Sequence, residues 1–491
     1  MGAGAAGAVI ASRLTEHTQR SVLLLEAGPD HGADLPHDLA DGTRNSLVDH
    51  DWGYAHRPSS RMPRIPLPRG RVVGGSSAVN TCIALRGQPA DYDEWAERGL
   101  DGWGWEHCLP AFKRLERDLD FPDSPWHGSD GPLPVRRHPR SELRPWQAAF
   151  LDAAASLGIP DCPDTNAPDA TGAGCHAMNK LDGRRISAAE AWLGPSVRAR
   201  EHLTIQGNTT VRRVVVSGGR VTGVEVEREG VVRCIPCHRV VLCAGAIGTP
   251  GILLRSGIGP RAEVERIGVP LVRDVPAVGA QLLDHPGCAL FFLPRKGAEW
   301  TAAAPLIQTV ILVEGEGRHR NPLQLQAGSH SPTKWGMAWL QSVMLQVTKP
   351  KSVGRLRFPS ADPHAAPVID SQFFSEPEDL DLAVQGLRLL QRLTDTPAMR
   401  DLGRCIYPTR FVGRREWLLR KWVPFACDSG YHPCGTVPMG EATDARGRID
   451  GVEGLRVADA SLFPTVPSSN THLPTLMLGE RFGEWLVEDG D

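Results

Sequence analysis

The spacing of apolar residues changes several times along the chain, and each change marks an element. Residues 8–14 are small and apolar at helical spacing. The uniformly apolar Val22-Leu23-Leu24-Leu25 follows, which predicts a short helix and then a buried parallel strand. Residues 110–116 and 146–157 return to helical spacing. Between 203 and 243 the period drops to two. Residues 203–205, 211–216, 221–226 and 239–243 read as a meander of strands, with turns at Ser217-Gly218-Gly219 and Arg228-Glu229-Gly230. Ala244-Gly245-Ala246-Ile247-Gly248-Thr249-Pro250 then opens a helix over 251–255. Later, 355–358 and 455–459 read as strands, 379–393 as an amphipathic helix and 475–488 as a carboxy-terminal helix.

This alternation predicts a mixed α/β chain, and 491 residues exceed one simple core. From 288 to 424 glycine loops thin out while Trp, Gln and apolar residues increase. The expected organisation is a discontinuous Rossmann-like unit with a parallel sheet, residues 1–287 and 425–491. Residues 288–424 are expected to form a second unit, an antiparallel sheet with covering helices. Trp335 and Trp339 fall in that second unit and are candidates to line a cavity or pack in a core.

Gly2-Ala3-Gly4-Ala5-Ala6-Gly7 spells G-x-G-x-x-G directly before the first helix, and Glu26 stands at the tip of the following strand. The first glycine permits a tight turn, the second a close approach to a pyrophosphate, and the third a close helix–strand contact. The acid about 20 residues on can accept hydrogen bonds from a ribose. Free N–H groups at the helix start and its dipole favour phosphate. Such a loop is normally fed by a buried strand, and Met1 stands where that strand should end. Arg outnumbers Lys 47 to 7, and Ala, Gly and Pro abound, which suggests GC-rich codons. The expectation is that the start is late, an internal GTG codon, with the feeding strand encoded upstream.

Net charge is −3, which leaves no basic surplus for nucleic acid as a main partner. No apolar run has the length of a membrane span, and the small-residue start lacks the basic region of a signal peptide. The eleven cysteines are scattered and odd in number, the pattern of reduced core thiols. Cys234-Ile235-Pro236-Cys237 is a single pair on strand-like flanks. It supplies neither four zinc ligands nor the start of a redox helix. A cytoplasmic location and no bound metal are expected.

Four separated segments resemble the glucose–methanol–choline (GMC) oxidoreductases, in the choline dehydrogenase-like branch. Beside the amino-terminal loop they are Gly70-Arg71-Val72-Val73-Gly74-Gly75-Ser76-Ser77-Ala78-Val79-Asn80, the stretch from Gly245 to Gly259, Tyr431-His432-Pro433-Cys434-Gly435, and the tail from Asp459 through Asn470-Thr471-His472 to Thr475. The resemblance implies non-covalent FAD, because Ala78-Val79 offer no histidine for attachment. It implies Gly2, Gly4 and Ala6 at the pyrophosphate and Glu26 at the ribose. Gly74 and Ser77 would contact the cofactor, and Asn80, Thr81, Cys82 and Ile83 would pass beside the flavin. Val211 and Ala244 would lie on the adenine side, Asp459 and Ala460 near the ribityl and phosphate region, and Thr471 and Thr475 near the pyrimidine end of the ring.

The same resemblance implies oxidation of a primary or secondary alcohol to the carbonyl. His432 would be the base and Asn470 its partner on the substrate oxygen. A base for this step needs a pKa near working pH and reach to the hydroxyl, which histidine satisfies. His472 departs from the family's usual asparagine. Its role, the alcohol, and the acceptor (oxygen, a quinone or a redox carrier) stay open. The rival readings are a hydroxynitrile-lyase-like activity on the same scaffold, or a degenerate member without flavin.

Overall fold

The computed structural model describes residues 1–16, 20–295, 304–332 and 339–489. The first helix runs over Ala5–Leu14, three residues earlier than its apolar spacing predicts, with Gly4 extended as its N-cap. Val22–Leu25 forms the expected strand and pairs in parallel with Leu203–Gln206. Val240–Leu242 pairs in parallel with Leu455–Val457. The expected meander is therefore only its middle. Thr210–Ser217, Arg220–Arg228 and Val231–Pro236 form an antiparallel sheet, and Glu229 and Gly230 turn the second hairpin with left-handed φ of 53° and 75°. The two ends, 203–206 and 240–242, belong to the parallel pairs. Three or four apolar residues look alike in a buried parallel strand and in a meander, so spacing alone merges them.

The amino terminus lies between the two parallel pairs. Gly2 N–H donates to the Leu25 carbonyl at 2.8 Å, the Met1 amine to Val241 at 2.8 Å, and Cys243 N–H to the Met1 carbonyl at 2.7 Å. Beyond Met1 a cleft of about 1260 Å³ separates Val22–Leu24 from Val240 and Val241.

Gly245–Arg255 is helical from six residues before the expected start, despite Pro250 inside it. The carbonyl that Pro250 cannot engage is that of Ala246, and the Thr436 hydroxyl donates to it at 2.6 Å. The carboxy-terminal helix His472–Glu488 crosses Ala5–Leu14 closely. A Cβ on Gly479 would lie 2.9 Å from that of Val9, so glycine is needed there. Helices Trp105–Leu115, Pro145–Ser156 and Pro377–Thr394 and strand Arg355–Arg357 fall within a few residues of expectation, except that the first begins five residues early.

The largest sheet has seven strands. Gly403–Tyr407, Pro286–Pro294, Trp339–Val347, Leu323–Pro332, Ile307–Val313 and Gly172–Cys175 follow in order, and Cys427–Ser429 also pairs with Pro286–Pro294. All these pairs are antiparallel. One face carries Leu323, Leu325, Ala327, Val343, Leu345 and Val347, which pack in a core with helices Pro145–Ser156 and Pro377–Thr394. The opposite face, by strict alternation, carries Gln324, Gln326, Ser342, Met344 and Gln346. Trp335 lies outside the described residues. Trp339 starts a strand, and its side chain lies outside them too.

Candidate active site

Sheet pairing delivers the candidate base. Pro286 pairs with Ser429, which sets Asp284-His285 beside Gly430-Tyr431-His432. The buried Asp284 carboxylate ties the two segments. Its Oδ1 accepts the N–H of His285 (2.7 Å) and of His432 (3.0 Å), and its Oδ2 accepts the Ser429 hydroxyl (2.5 Å). Burial raises its pKa, and these donors oppose the rise. Tyr431 takes a left-handed φ of 64°, and its carbonyl accepts from the Arg69 guanidinium at 2.8 Å.

The two imidazoles meet edge to face, with Nδ1 of His285 2.9 Å from Nδ1 of His432. His285 Nε2 lies 3.0 Å from the Pro467 carbonyl, which can only accept. The network thus assigns the His285 proton to Nε2 and leaves its Nδ1 as an acceptor. His432 then carries its proton on Nδ1 and presents the Nε2 lone pair. Asn470 Nδ2 donates to that Nε2 at 2.9 Å, and Gln324 Nε2 donates to Asn470 Oδ1 at 3.3 Å. Every bond in this chain runs in one direction, from Gln324 to Pro467. Burial, then His285 and Arg69, hold the His432 pKa well below the usual value. Burial brings His285 to about 4. Both rings are neutral at neutral pH, so His432 stands in its basic form.

A continuous cavity of about 1310 Å³ runs from the amino-terminal loop to this pair. Gly2, Gly4, Ala6, Glu26, Ser77, Asn80, Thr81, Ile83, Val211, Ala244, Asp459, Ala460, Thr471 and Thr475 all line it, as do His432 and Asn470. Gly74 and Cys82 do not reach its wall. Gly74, at φ 104°, donates its N–H to the Ala3 carbonyl at 2.7 Å. Cys82 is fully buried at φ 65°, and its N–H donates to Asn80 Oδ1 at 2.9 Å, which sets the Asn80 side chain. Several wall residues are already engaged. The Ser77 hydroxyl donates to the Gly74 carbonyl (2.6 Å). Asp459 accepts from Gly245 N–H (2.9 Å), Thr249 (2.6 Å) and Ser461 N–H (2.8 Å). Glu26 accepts Ala3 N–H (3.0 Å) and Gly28 N–H (2.9 Å). Burial raises its pKa against these bonds.

The residues present fit FAD. A Cβ on Gly4 would meet only the Gly75 Cα, at 3.9 Å, and one on Gly245 (φ 78°) would meet nothing within 4 Å. Backbone at the starts of helices Ala5–Leu14 and Gly245–Arg255 therefore faces open cavity, as pyrophosphate binding requires. His472 lines the cavity in the first turn of its helix, and burial lowers it to about 4. Asn470, not His472, makes the bond to His432. Sequence reading missed His285 and Gln324. The Asp284-His285-Pro286 triplet and the Leu-Gln-Leu-Gln alternation of 323–326 were the available signals.

The GMC oxidoreductase family models match residues 1–287 and 350–479, and the chain belongs to this family of FAD-dependent oxidoreductases acting on alcohols. It is 33% identical to 5-(hydroxymethyl)furfural oxidase of Methylovorus sp. (strain MP688), over 99% of this chain and 98% of that protein. It is 34% identical to oxygen-dependent choline dehydrogenase of Chromohalobacter salexigens, over 99% and 93%. Among solved structures, pyridoxine 4-oxidase from Mesorbium loti superposes with a TM-score of 0.91 at 27% identity, covering 99% of this chain and 98% of that one. No helix among the described residues is long and apolar enough to cross a membrane.

Proposed function

We propose that His432 is the base for oxidation of a primary alcohol borne on an aromatic or heteroaromatic ring, with Asn470 holding the same oxygen. The carrying observation is the directed hydrogen-bond chain that leaves the His432 Nε2 lone pair beside Asn470 Nδ2. The substrate hydroxyl replaces this direct bond, its oxygen accepting from Asn470 Nδ2 and its O–H donating to His432 Nε2. His432 Nε2 receives its proton, and Asn470 Nδ2 and the nearby Arg69 charge stabilise the oxygen as it becomes anionic. FAD, when bound, supplies the hydride acceptor for the carbon. The chain's own part is to orient the alcohol, keep the base neutral and exclude water.

The ring preference rests on the wall. Met62, Phe291, Met344, Tyr407, Phe425 and Tyr431 line the substrate end. Asp428 is the carboxylate there among the described residues, and it is half exposed and 3.4 Å from His56. The aromatic and thioether side chains offer faces and edges for a planar ring. With Asp428 half exposed and turned to His56, the wall there holds no buried carboxylate for a quaternary ammonium among the described residues. In this respect 5-(hydroxymethyl)furfural oxidase and pyridoxine 4-oxidase are nearer guides to substrate than choline dehydrogenase.

Residues 1–287 with 425–491 are read as the FAD-carrying unit and 288–424 as the substrate-shaping unit, with Pro145–Ser156 and Gly172–Cys175 lent to the second sheet. The eleven unpaired cysteines favour a cytoplasmic, reducing compartment. The acceptor, oxygen, a quinone or another redox carrier, is distinguished by whether air reoxidises the bleached flavin. Benzyl alcohol added anaerobically to the FAD-loaded protein should bleach the flavin, and His432→Ala should abolish bleaching. Release of an aldehyde from a cyanohydrin without bleaching would instead support a lyase.

A further inference from the structure

The sheet face above the candidate base holds more polar groups than alcohol oxidation uses. Gln324 is committed to Asn470 and so marks where the reacting hydroxyl sits. Gln326 is two residues further along the same strand and on the same face, about 7 Å away. In register, Gln324 pairs with Gln346, Gln326 with Met344, and Gly328 with Ser342. Gln326, Ser342, Met344 and Gln346 all line the cavity.

Gln326 is 3% exposed, and its Oε1 makes no hydrogen bond. Its polar neighbour is the fully buried His176. Burial, against a weak polar contact with Gln326, holds His176 neutral, lowered to about 3. An uncommitted buried amide costs stability unless a ligand or water completes it. On this sheet face stand Asp428, which pairs with Gly287 and is half exposed beside His56, and the exposed Arg404, which pairs with Leu293. Of the two only Asp428 lines the cavity, and Phe291 and Met344 flank Gln326 with apolar surface.

We propose that Gln326 forms a subsite for a second, uncharged polar group of the substrate, carried across one aromatic ring from the reacting hydroxymethyl. This rests on the reading of His432 and Asn470 as the place of that hydroxymethyl. A hydroxyl or carbonyl at the far end of the ring meets the Gln326 amide. A methyl there leaves the amide unpaired. A carboxylate is buried without a counter-charge.

The test uses the FAD-loaded enzyme with three probes, 4-methylbenzyl alcohol, 1,4-benzenedimethanol and 4-(hydroxymethyl)benzoate. Binding to the oxidised enzyme is followed by perturbation of the flavin absorption, which is independent of turnover. The diol should bind about tenfold tighter than the methyl compound and the carboxylate weakest, the scale of one buried hydrogen bond. In Gln326→Leu, with its melting temperature checked, the gap between diol and methyl compound should close. A wild-type gap below about twofold, or a gap that survives in a folded Gln326→Leu, overturns the subsite. The wild-type comparison decides the matter if that variant does not fold. A gap in binding without anaerobic bleaching by any of the three would leave the subsite standing and overturn the alcohol-oxidation reading.

Discussion

His432 Nδ1 and Gln346 Nε2 converge on one point above Gly430: a Cβ built there would lie 2.8 Å from the first and 3.0 Å from the second. The Gly430 backbone itself is held, its N–H donating to the His285 carbonyl at 2.8 Å. The ring of His432 must therefore yield if a methyl is added. A displacement on the order of 1 Å at a reacting group costs about 100-fold in rate. Gly430→Ala is expected to keep its flavin spectrum and to lose about that factor in kcat/KM. Stopped-flow reduction at the wild-type rate would show that His432 is not where the reaction occurs.

His285 touches no substrate in the proposed mechanism, so its effect must pass through His432. Replacing it by Phe removes the acceptor that fixes the His432 proton on Nδ1. Loss of an orienting partner typically costs about 10- to 100-fold. The pH profile separates this from general damage. His285 is one of the groups that hold the His432 pKa down, after burial. The neutral ring is the active form, so wild-type kcat/KM should hold level below the ordinary histidine value of about 6.5. In His285→Phe the acid limb should move up towards that value. An unshifted limb would refute the coupling.

The loop, helix, strand and acid at the amino terminus were legible because the phosphate site is local. Glycine spacing and Glu26 lie within one unit of the chain. His432 and Asn470 were legible only through their motif context, since nothing in a lone histidine's sequence says what it faces. His285 was not legible. Its role depends on Pro286 pairing with Ser429, a contact across more than a hundred residues that no local spacing encodes. The merging of 203–206 and 240–242 into one meander has the same cause, since each finds its partner far away in the chain. The Gln-Leu alternation was a readable strand signal. Which face would meet the cavity was set by the helices that cover the other side.

Acid stability should reflect the buried histidines. Burial lowers His176 to about 3 and His285 to about 4, and lowers His432 well below its usual value. Below about pH 6.5 the unfolded chain takes up protons that the folded chain refuses, so stability falls as pH drops from there towards 4. His176 and His285 together put this loss on the order of several kcal/mol. His127 works the other way. Burial lowers it, but bonds to Asp164 (2.9 Å) and Glu116 (2.8 Å) outweigh that and leave its pKa raised. Its contribution is complete below about pH 6.5 and fades as pH rises through the raised value. His176→Leu should flatten the acid side of a Tm–pH curve, and His127→Gln should lower Tm most at acid pH. An acid limb unchanged in His176→Leu would contradict the first sign, and a Tm loss in His127→Gln no larger at about pH 5 than at about pH 8 the second.

The cleft beyond Met1 has the form of one parallel strand position. Met1 and Gly2 already bond to Leu25 on one side and to Val241 and Cys243 on the other. Further in, Ile10, Leu14, Val22, Leu24, Val240 and Leu455 line the opening with apolar surface. A strand entering there would continue the same alternating bonds and cover that surface. Each main-chain bond adds about 1 kcal/mol net, and each square ångström of apolar surface about 25 cal/mol. A six-residue Val/Ile-rich extension fused before Met1 should therefore raise Tm by several degrees, at about 1 °C per kcal/mol for a chain of this size. It should also slow FAD loss, because Gly2 and Gly4 would be held from both sides. A Gly/Ser extension of equal length cannot pair as a stable strand and should do neither. Equal melting temperatures and equal FAD release for the two extensions would show that the cleft is not a strand position.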